Sequence, residues 1–203
     1  MKYYHGSPKS NLTKLTTEKS NDGYVWLAEQ YEYAVLYAGC PVRFWRVNKT
    51  NNKLVIREVA KNCLLRMYKG KKCYICSAEN VGEFEQFDYN GRKSIRLTHD
   101  VNIKLNEVIP DAYEKIMELY NTGVIEIDFW DNYTEEEKIK VQQNTIKKFA
   151  PAMKVEYNKF PEEYAIITDL LPELKLENLK DVQQFETLEE IRKSEEKKWI
   201  KNI

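Results

Sequence analysis

The chain has 203 residues, of which 42% are hydrophobic and 32% are charged, a balance typical of a folded protein that can bury a core without disulfides or a metal. Lysine plus arginine equals aspartate plus glutamate, 32 against 32, so the formal net charge is zero. This excludes the strongly basic composition that general affinity for nucleic acids or anionic membranes usually requires.

The N-terminal sequence MKYYHGSPKS has no apolar segment behind its lysine, so we expect no secretory signal. No apolar run in the chain approaches the roughly 20 residues that a membrane-spanning helix needs. We therefore expect a cytoplasmic protein with no membrane partner.

Aromatic and apolar runs predict the first strands and the first helix. Residues 2–6 (KYYHG) and 23–28 (GYVWLA) predict strands, and the polar segment 9–22 between them predicts a surface loop. Apolar side chains recur at helical spacing over 29–38, and Gly39 predicts the end of this helix.

The middle of the chain predicts further short strands. They fall at 42–48, 53–58, 72–78, 83–88, 93–98 and 101–109, with a turn at 49–52, a hairpin turn at Asn90-Gly91 and a helix at 60–69. The last of these strands, VNIKLNEVI, has the cleanest alternation. Pro110 then begins a helix that ends between Asn121 and Gly123.

Beyond residue 129 the sequence predicts helices. Thr134 and Glu137 form a capping-box pattern for a helix that runs to about Phe149. Thr187 marks another helix start, which leads a charged helix to the end of the chain.

These elements predict an α+β protein in two parts. We expect a mixed, mainly antiparallel core over residues 1–128, followed by a helical extension over residues 129–203 that packs on the core. Strands mixed with scattered helices, together with the lack of a glycine-rich phosphate loop, argue against a doubly wound sheet.

Four cysteines are present, Cys40, Cys63, Cys73 and Cys76, and in a reducing compartment we expect free thiols. Cys73 and Cys76 have a spacing that occurs in zinc and redox sites. They lie in a predicted strand, where side chains three apart point to opposite faces, and no second pair completes a tetrahedral site. We therefore expect buried structural thiols and no metal.

The two histidines differ in their surroundings. His5 lies in the first predicted strand and is followed by Gly6, which permits close approach of a ligand, and by Ser7, which adds a hydroxyl at the strand end. His99 lies in a Thr-His-Asp turn, and we interpret it as an ordinary packed or solvated side chain.

Glu107 is the most informative acidic residue. In an unbroken strand it would share one face with Val101, Ile103 and Leu105, three apolar residues that we expect to face the core. Burial of an unpaired carboxylate is costly. Glu107 is therefore either solvated at the strand end, paired with a lysine or arginine, or part of a cleft that binds a polar ligand.

Other candidates have ordinary explanations. Glu83 and Glu85 are expected on a solvated strand face. The aromatic residues around the second strand are expected in the core, although one could stack on a planar ligand ring. They are Tyr24, Trp26, Tyr31, Tyr33 and Tyr37.

Three segments together resemble the motifs of the ADP-ribosyltransferase superfamily, in its diphtheria toxin-like and poly(ADP-ribose) polymerase-like branch. They are Tyr3-Tyr4-His5-Gly6-Ser7, Gly23-Tyr24-Val25-Trp26-Leu27-Ala28 with the Ala- and Tyr-rich helix behind it, and Asn106-Glu107-Val108-Ile109. The family patterns are a strand ending in His-Gly-Thr or His-Gly-Ser, an aromatic strand before a helix, and a strand bearing Asn-Glu-x-Ile. The three occur in order within residues 2–109, and the chain is also similar to bacterial proteins of this general build.

The resemblance implies a split β core with flanking helices and NAD as a substrate, without a metal. By position, His5 would hydrogen-bond a ribose hydroxyl of NAD, and the Gly6 backbone would pair with the nicotinamide carboxamide. Ser7, Trp26 and Tyr37 would complete the NAD site, with Trp26 stacked on nicotinamide. Tryptophan stands where the family usually has tyrosine, which alters the size and hydrogen bonding of this pocket.

The resemblance also implies that Glu107 is catalytic together with His5. A fixed carboxylate would stabilise the oxocarbenium-like transition state as nicotinamide leaves. The expected activity is mono-ADP-ribosyl transfer from NAD to an unknown macromolecular acceptor, or hydrolysis of NAD.

Two alternatives remain open. An RNA 2′-phosphotransferase shares the fold and uses NAD, but that family depends on basic residues around its His motif, and arginine is absent from residues 1–42. A non-catalytic interaction module could also retain the fold. Glu107 distinguishes the enzyme from the module, because an enzyme needs this carboxylate in a cleft that faces His5.

Overall fold

The computed structural model describes residues 1–20, 22–40, 45–47, 53–89 and 92–179. The strands are β1 (Lys2–Ser7), β2 (Lys14–Leu15), β3 (Val25–Ala28), β4 (Trp45–Val47), β5 (Leu54–Arg57), β6 (Cys73–Glu79), β7 (Glu85–Tyr89), β8 (Arg92–Leu97), β9 (Val101–Asn102), β10 (Lys104–Ile109) and β11 (Ile125–Asp128). The helices are α1 (Tyr31–Gly39), α2 (Cys63–Tyr68), α3 (Ala112–Asn121), α4 (Glu135–Glu156) and α5 (Pro161–Leu170). Short 3-10 turns lie at Thr17–Lys19, Trp130–Asn132, Pro172–Leu174 and Leu176–Asn178. The predicted α+β class is confirmed.

A six-stranded sheet in the order β10-β6-β1-β3-β8-β7 forms the centre of the described core. Each neighbouring pair of its strands is antiparallel. The strands predicted at 2–6, 72–78 and 93–98 are confirmed as β1, β6 and β8. The turn predicted at Asn90-Gly91 lies outside the described residues.

One face of this sheet is covered by a compact apolar cluster. Most of its side chains come from alternate positions of β1, β3, β6 and β8, as expected for strands with one buried face, and the rest come from β9 and the adjoining segments. The buried members are Tyr3, Val25, Leu27, Cys76, Ala78, Val81, Ile95, Leu97, Val101 and Ile103, with Leu12 and Leu15 partly buried against them. This cluster fixes which side chains of β1 and β6 point to the opposite face.

Helix α1 packs on the other face, directly over Gly6. A Cβ atom at Gly6 would lie 2.0 Å from the carbonyl oxygen of Ala34 and 2.8 Å from the Cβ of Ala38. The glycine therefore permits close approach, as expected, but the group that approaches it on this face is the backbone of a helix. Ala34 and Ala38 are small residues on the buried side of α1, which lets the helix lie so close to the strand.

The predicted single strand at 101–109 is wrong in one respect. It is divided into β9, which pairs with β2, and β10, which forms an edge of the six-stranded sheet. Within β10 the register shifts between Leu105 and Glu107. Such a bulge inserts one unpaired residue and changes the face to which later side chains point. Leu105, predicted to face the core, is 56% exposed.

A smaller, three-stranded sheet has the order β11-β5-β4. Its β4–β5 pair confirms the predicted antiparallel strands, while the turn predicted at 49–52 lies outside the described residues. Strand β11 was not predicted, and it pairs in parallel with β5. A strand of four residues that pairs with a distant segment leaves little local pattern in the sequence.

Residue contacts divide the chain into two compact units. Unit 1 is Met1–Glu58 with Leu64–Phe129, and unit 2 is Val59–Cys63 with Trp130–Ile203, whose described residues end at Leu179. The helix start predicted at Thr187 lies outside the described residues. No helix in the described part of the chain is long and apolar enough to cross a membrane.

The described part of unit 2 beyond residue 129 consists of helices and 3-10 turns. The capping box at the start of α4 is confirmed, because Thr134 Oγ1 accepts from the Glu137 N–H at 3.3 Å and Glu137 Oε2 accepts from the Thr134 N–H at 2.8 Å. The helix continues beyond the predicted end, through Pro151 to Glu156. An internal proline removes one backbone hydrogen bond of a helix, yet the helix continues past it to the buried residue Met153. Helix α5 was not predicted.

Candidate functional site

The backbone groups of Gly6 point toward β3. In an antiparallel strand, the N–H and C=O groups of successive residues point alternately to the two neighbouring strands. Glu29 donates its N–H to a carbonyl in β8 at 3.0 Å, so the backbone groups of Ala28 and Trp26 point the other way, toward β1. Ala28 pairs with Tyr4. The same alternation along β1 directs the N–H and C=O of Gly6 toward β3.

The ladder between β1 and β3 stops after one position. Along the described residues of both strands, the registered pair is Tyr4 with Ala28, whereas β6 pairs with β1 from Lys2 to Ser7. One step further, the carbonyl of Trp26 lies 3.3 Å from Nδ1 of His5. The two strands therefore separate at the level of Gly6, and the Gly6 backbone borders the gap.

His5 holds one side of this gap. A carbonyl oxygen only accepts, so the contact with Trp26 means that Nδ1 of His5 carries the hydrogen and donates it. Burial lowers the pKa of His5, although its hydrogen bond to the Trp26 carbonyl opposes this effect. The neutral ring is thus favoured near neutral pH, with Nε2 as an acceptor. A neutral imidazole acceptor suits a ligand hydroxyl.

Trp26 lies partly buried on the helix-bearing face of β3. Its Nε1 donates to Oδ2 of Asp22 at 2.9 Å, and its ring centroid lies 5.2 Å from that of Phe87. Arg96, on the neighbouring strand β8, is directly opposite Trp26. The indole therefore packs against neighbours on the sheet that include an aromatic ring, a carboxylate and a guanidinium group.

Ser7 and Tyr37 have local partners. Ser7 is 5% exposed, and its Oγ accepts from the backbone N–H of Lys9 at 3.1 Å, which closes the turn after β1. Tyr37 is partly buried on α1, and its hydroxyl lies 3.0 Å from that of Tyr33. The hydroxyl of Ser7 thus has a structural partner, whereas Tyr37 lies one position from Ala38, the residue that covers Gly6.

Glu107 is the centre of a small polar network. Its carboxylate accepts a short hydrogen bond from the hydroxyl of Tyr31 and forms a 3.3 Å ion pair with Nζ of Lys115. Lys115 also pairs with Glu118 at 3.1 Å. Of the three explanations that the sequence allows for Glu107, pairing with a lysine agrees with these contacts. The network ties β10 to the beginning of α1 and to α3.

His5 and Glu107 lie on opposite faces of the six-stranded sheet. His5 is directly opposite Cys76, and Glu107 is directly opposite Ile75. Directly opposed residues share a face, and adjacent residues such as Ile75 and Cys76 point to different faces. The catalytic hypothesis needs Glu107 in a cleft that faces His5, but the two side chains point to opposite faces of the sheet, because the bulge before Glu107 changes the face to which it points.

Glu107 is also remote from Trp26. The register places Glu107, Ile75 and Gly6 in one row across β10, β6 and β1, and Trp26 is next in that row on β3. Neighbouring strands are about 4.8 Å apart, so the backbones of Glu107 and Trp26 are separated by roughly 14 Å. Helix α1 lies over Gly6 between them. The helix therefore stands between the two residues on this face of the sheet.

The four cysteines are buried in the described chain. None of the four forms a disulfide, and Cys73 and Cys76 are 0% and 1% exposed. Burial, and next the nearby negative charge of Glu107, raise the pKa of Cys73 to about 11. Among the described residues, no group of three or more His, Cys, Asp or Glu side chains could hold a metal ion.

The sequence did not indicate Arg96 or Lys115 as site residues, and it suggested Tyr31 only as a core aromatic residue or a stacking partner for a ligand ring. Arg96 alternates with the buried residues Ile95 and Leu97 in a short polar strand. Charged residues at such alternate positions are usually solvated. Tyr31 and Lys115 are attached to Glu107 through contacts between distant segments. One available signal was the cluster of aromatic residues around Trp26. It predicted core packing or stacking on a ligand ring, but it did not indicate that an arginine lies among these rings.

Comparison with known protein families, with characterised proteins and with solved structures finds no match to this chain.

Proposed function

We propose that the protein is an ADP-ribosyltransferase-like binding module that takes the nicotinamide end of NAD at the gap between β1 and β3 and does not use Glu107 for catalysis. The observation that carries this proposal is the early end of the β1–β3 ladder. Because the N–H and C=O of Gly6 point toward β3, they face the gap that opens where the ladder ends. A primary carboxamide offers the complementary C=O and N–H₂ groups.

The other side chains of the gap suit the rest of the ligand. Trp26 provides an aromatic ring for nicotinamide, because offset ring pairs are favourable beyond their buried area. The neutral form of His5, which burial favours by lowering its pKa, provides an acceptor for a ribose hydroxyl. The His5 imidazole contacts the backbone carbonyl of Trp26 rather than its indole. His5 lies on the face of Cys76, whereas the indole lies on the helix-bearing face, so the two side chains border the gap from opposite faces of the sheet.

Catalysis through Glu107 has no geometric support. Its carboxylate is engaged by Tyr31 and Lys115, its backbone lies roughly 14 Å from that of Trp26, and α1 packs over Gly6 between them. Stabilisation of an oxocarbenium-like centre requires a charge held against the reacting atoms. A module that binds NAD without transferring ADP-ribose needs no macromolecular acceptor.

The test is calorimetric titration of the protein with nicotinamide and with nicotinic acid, which has a carboxylate in place of the carboxamide. A site that bonds the amide through Gly6 rejects the acid, since the C=O of Gly6 loses its donor and faces a negative charge. We expect nicotinamide to bind at least about tenfold more tightly, and Trp26→Leu to weaken binding by a similar factor. Trp130→Leu, in unit 2, is the matched control.

Equal affinity for the amide and the acid would exclude the Gly6 contact. Unchanged binding by Trp26→Leu would exclude the stacking role. Weakening by Trp130→Leu to the same extent would mean that the loss reflects general destabilisation rather than contact with the ligand.

A transferase is the second candidate, and the contact between Asp22 and Trp26 favours it. Asp22 Oδ2 accepts from Trp26 Nε1 at 2.9 Å, so a carboxylate lies beside the proposed nicotinamide site. If ADP-ribose is transferred, we propose that Asp22 takes the electrostatic role expected of Glu107. Nicotinamide release from NAD that persists in Glu107→Gln and disappears in Asp22→Asn, with NAD binding retained, would establish this alternative.

A further inference from the structure

Arg96 is surrounded by aromatic rings on the helix-bearing face of β8. Its guanidinium carbon lies 4.1 Å from the ring centroid of Tyr24, 4.8 Å from that of Phe87 and 5.7 Å from that of Trp26. These distances suit cation–π contact. The rings hold the guanidinium in a fixed position beside the indole that we assign to nicotinamide.

The hydrogen bonding of Arg96 is incomplete. One terminal nitrogen, Nη2, donates to Oε2 of Glu85 in a short contact. The Nε atom is buried and has no hydrogen-bond partner among the described residues. Buried donors in proteins are nearly always satisfied, so a buried N–H without an acceptor calls for an explanation.

The geometry of arginine indicates which acceptor fits. Nε and a terminal nitrogen form a planar fork that matches two oxygens of a phosphate or a carboxylate. Glu85 engages only the Nη2 side of this fork, and its side chain is 57% exposed on the edge strand β7. It can therefore leave the arginine for solvent at little cost. Oxygens of a ligand phosphate would then satisfy both Nε and Nη2.

The other charged group beside the indole does not compete for this role. Asp22 is held by the hydroxyl of Ser20 at 2.8 Å and by Nε1 of Trp26 at 2.9 Å. It also accepts from the backbone N–H of Tyr24 at 3.3 Å. Being acidic, Asp22 repels an anion, so the attraction for a phosphate near Trp26 comes from Arg96.

We propose that Arg96 binds the phosphate attached to the nicotinamide riboside of NAD, with Glu85 as the partner that this phosphate replaces. The proposal rests on the function proposed above, because it places nicotinamide on Trp26. In NAD, one ribose separates the nicotinamide ring from this phosphate. The site thus recognises a pyridine nucleotide by its ring at Trp26 and its phosphate at Arg96.

The test compares ligands that differ only in the phosphate. Nicotinamide mononucleotide and nicotinamide riboside are titrated into the full chain and into Arg96→Lys, which keeps the positive charge but removes the fork. We expect the mononucleotide to bind at least about tenfold more weakly to Arg96→Lys, and the riboside to bind both proteins equally. Circular dichroism and denaturant titration establish that the variant is folded.

Glu85→Gln provides a second variant at an exposed position. Because it removes the charge that competes with the phosphate, we expect it to bind the mononucleotide several-fold more tightly than the wild-type chain. The riboside should again bind both proteins equally. This result can be obtained even if Arg96→Lys does not fold.

Each contrary outcome has a distinct meaning. Unchanged mononucleotide affinity in Arg96→Lys or in Glu85→Gln overturns the phosphate contact and leaves the nicotinamide site intact. Equal losses for the mononucleotide and the riboside in Arg96→Lys also overturn it, since Arg96 would then act by packing. If neither ligand binds the wild-type chain, the proposed function itself fails, and this proposal fails with it.

Discussion

His5 and Glu107 lie on opposite faces of the six-stranded sheet, because His5 is opposite Cys76 on β6 and Glu107 is opposite the adjacent residue, Ile75. The carboxylate meets Tyr31 and Lys115. The histidine meets the carbonyl of Trp26. Glu107 thus helps to hold α1 and α3 on the sheet, whereas His5 borders the β1–β3 gap.

The first prediction concerns the structural role of Glu107. Glu107→Gln removes the charge that compensates Lys115, whose side chain is 17% exposed, so we expect a loss of about 1–2 kcal/mol in the free energy of unfolding. Glu118→Gln is the matched control on the same lysine. Glu118 is 61% exposed, and its removal should cost less than about 0.5 kcal/mol. Urea denaturation measures both, and equal losses would contradict the asymmetry.

A second prediction follows for alkaline pH. Burial, then the hydrogen bond to Glu107, raise the pKa of Tyr31 above its usual value. For Lys115, burial lowers the pKa, but hydrogen bonds to Glu118 and Glu107 outweigh it and the pKa is raised. Both groups therefore contribute stability that is fully present below about pH 10 and is lost as pH rises, because the unfolded chain releases these protons first.

Denaturation of the wild-type chain and of Tyr31→Phe between about pH 9 and 11 tests this. We expect stability to fall more steeply with pH in the wild-type chain, since the variant lacks one of the two groups. A steeper fall in Tyr31→Phe would show that the tyrosine does not hold its proton through burial and the contact with Glu107.

The third prediction concerns Gly6. In Gly6→Ala the new methyl group would lie 2.0 Å from the carbonyl oxygen of Ala34, so α1 must move away from β1, at a cost of at least about 2 kcal/mol. Gly123→Ala is the control, because Gly123 has φ +73 and a Cβ atom added there would find its nearest neighbour, Nζ of Lys53, at 3.9 Å. Its backbone strain should cost about 1 kcal/mol. If thermal unfolding shows the control to be the more damaged protein, the packing of α1 on Gly6 is wrong.

The fourth prediction concerns thiol reactivity. Burial raises the pKa values of Cys73 and Cys76, and the side chains are 0% and 1% exposed. We expect both to resist alkylation at pH 8 until the protein unfolds, since the thiolate is the reactive form. Position-resolved mass spectrometry after brief exposure to iodoacetamide measures this, and the denatured chain serves as the control. Rapid labelling of either thiol in the native protein would contradict its burial.

The local pattern of the sequence predicted much of the core but not its pairing. The strands around His5 and Trp26 and the helix that ends at Gly39 are formed as predicted, because alternation and helical spacing are local properties. The early end of the β1–β3 ladder depends on how two distant strands diverge. It could be found only from the register that pairs Tyr4 with Ala28.

At Glu107, one extra residue in the strand reverses the face that strict alternation predicts. The pattern from Val101 to Glu107 predicts one face, but the chain changes sheets near Ile103 and bulges before Glu107. The surrounding polar residues give no local sign of a bulge. Arg96 was likewise unpredictable, because its aromatic neighbours come from β3 and β7 as well as from the segment before β3.

The most direct test of the central claim is the rate of nicotinamide release from NAD by the wild-type chain and by Glu107→Gln, with NAD binding measured on the same samples. We predict that the two proteins bind NAD with equal affinity and release nicotinamide at equal rates, because Glu107 is remote from both His5 and Trp26. Rates that equal the protein-free rate in both proteins also agree with this prediction. Release by the wild-type chain that disappears in a folded, NAD-binding Glu107→Gln would contradict this account and return Glu107 to the catalytic site.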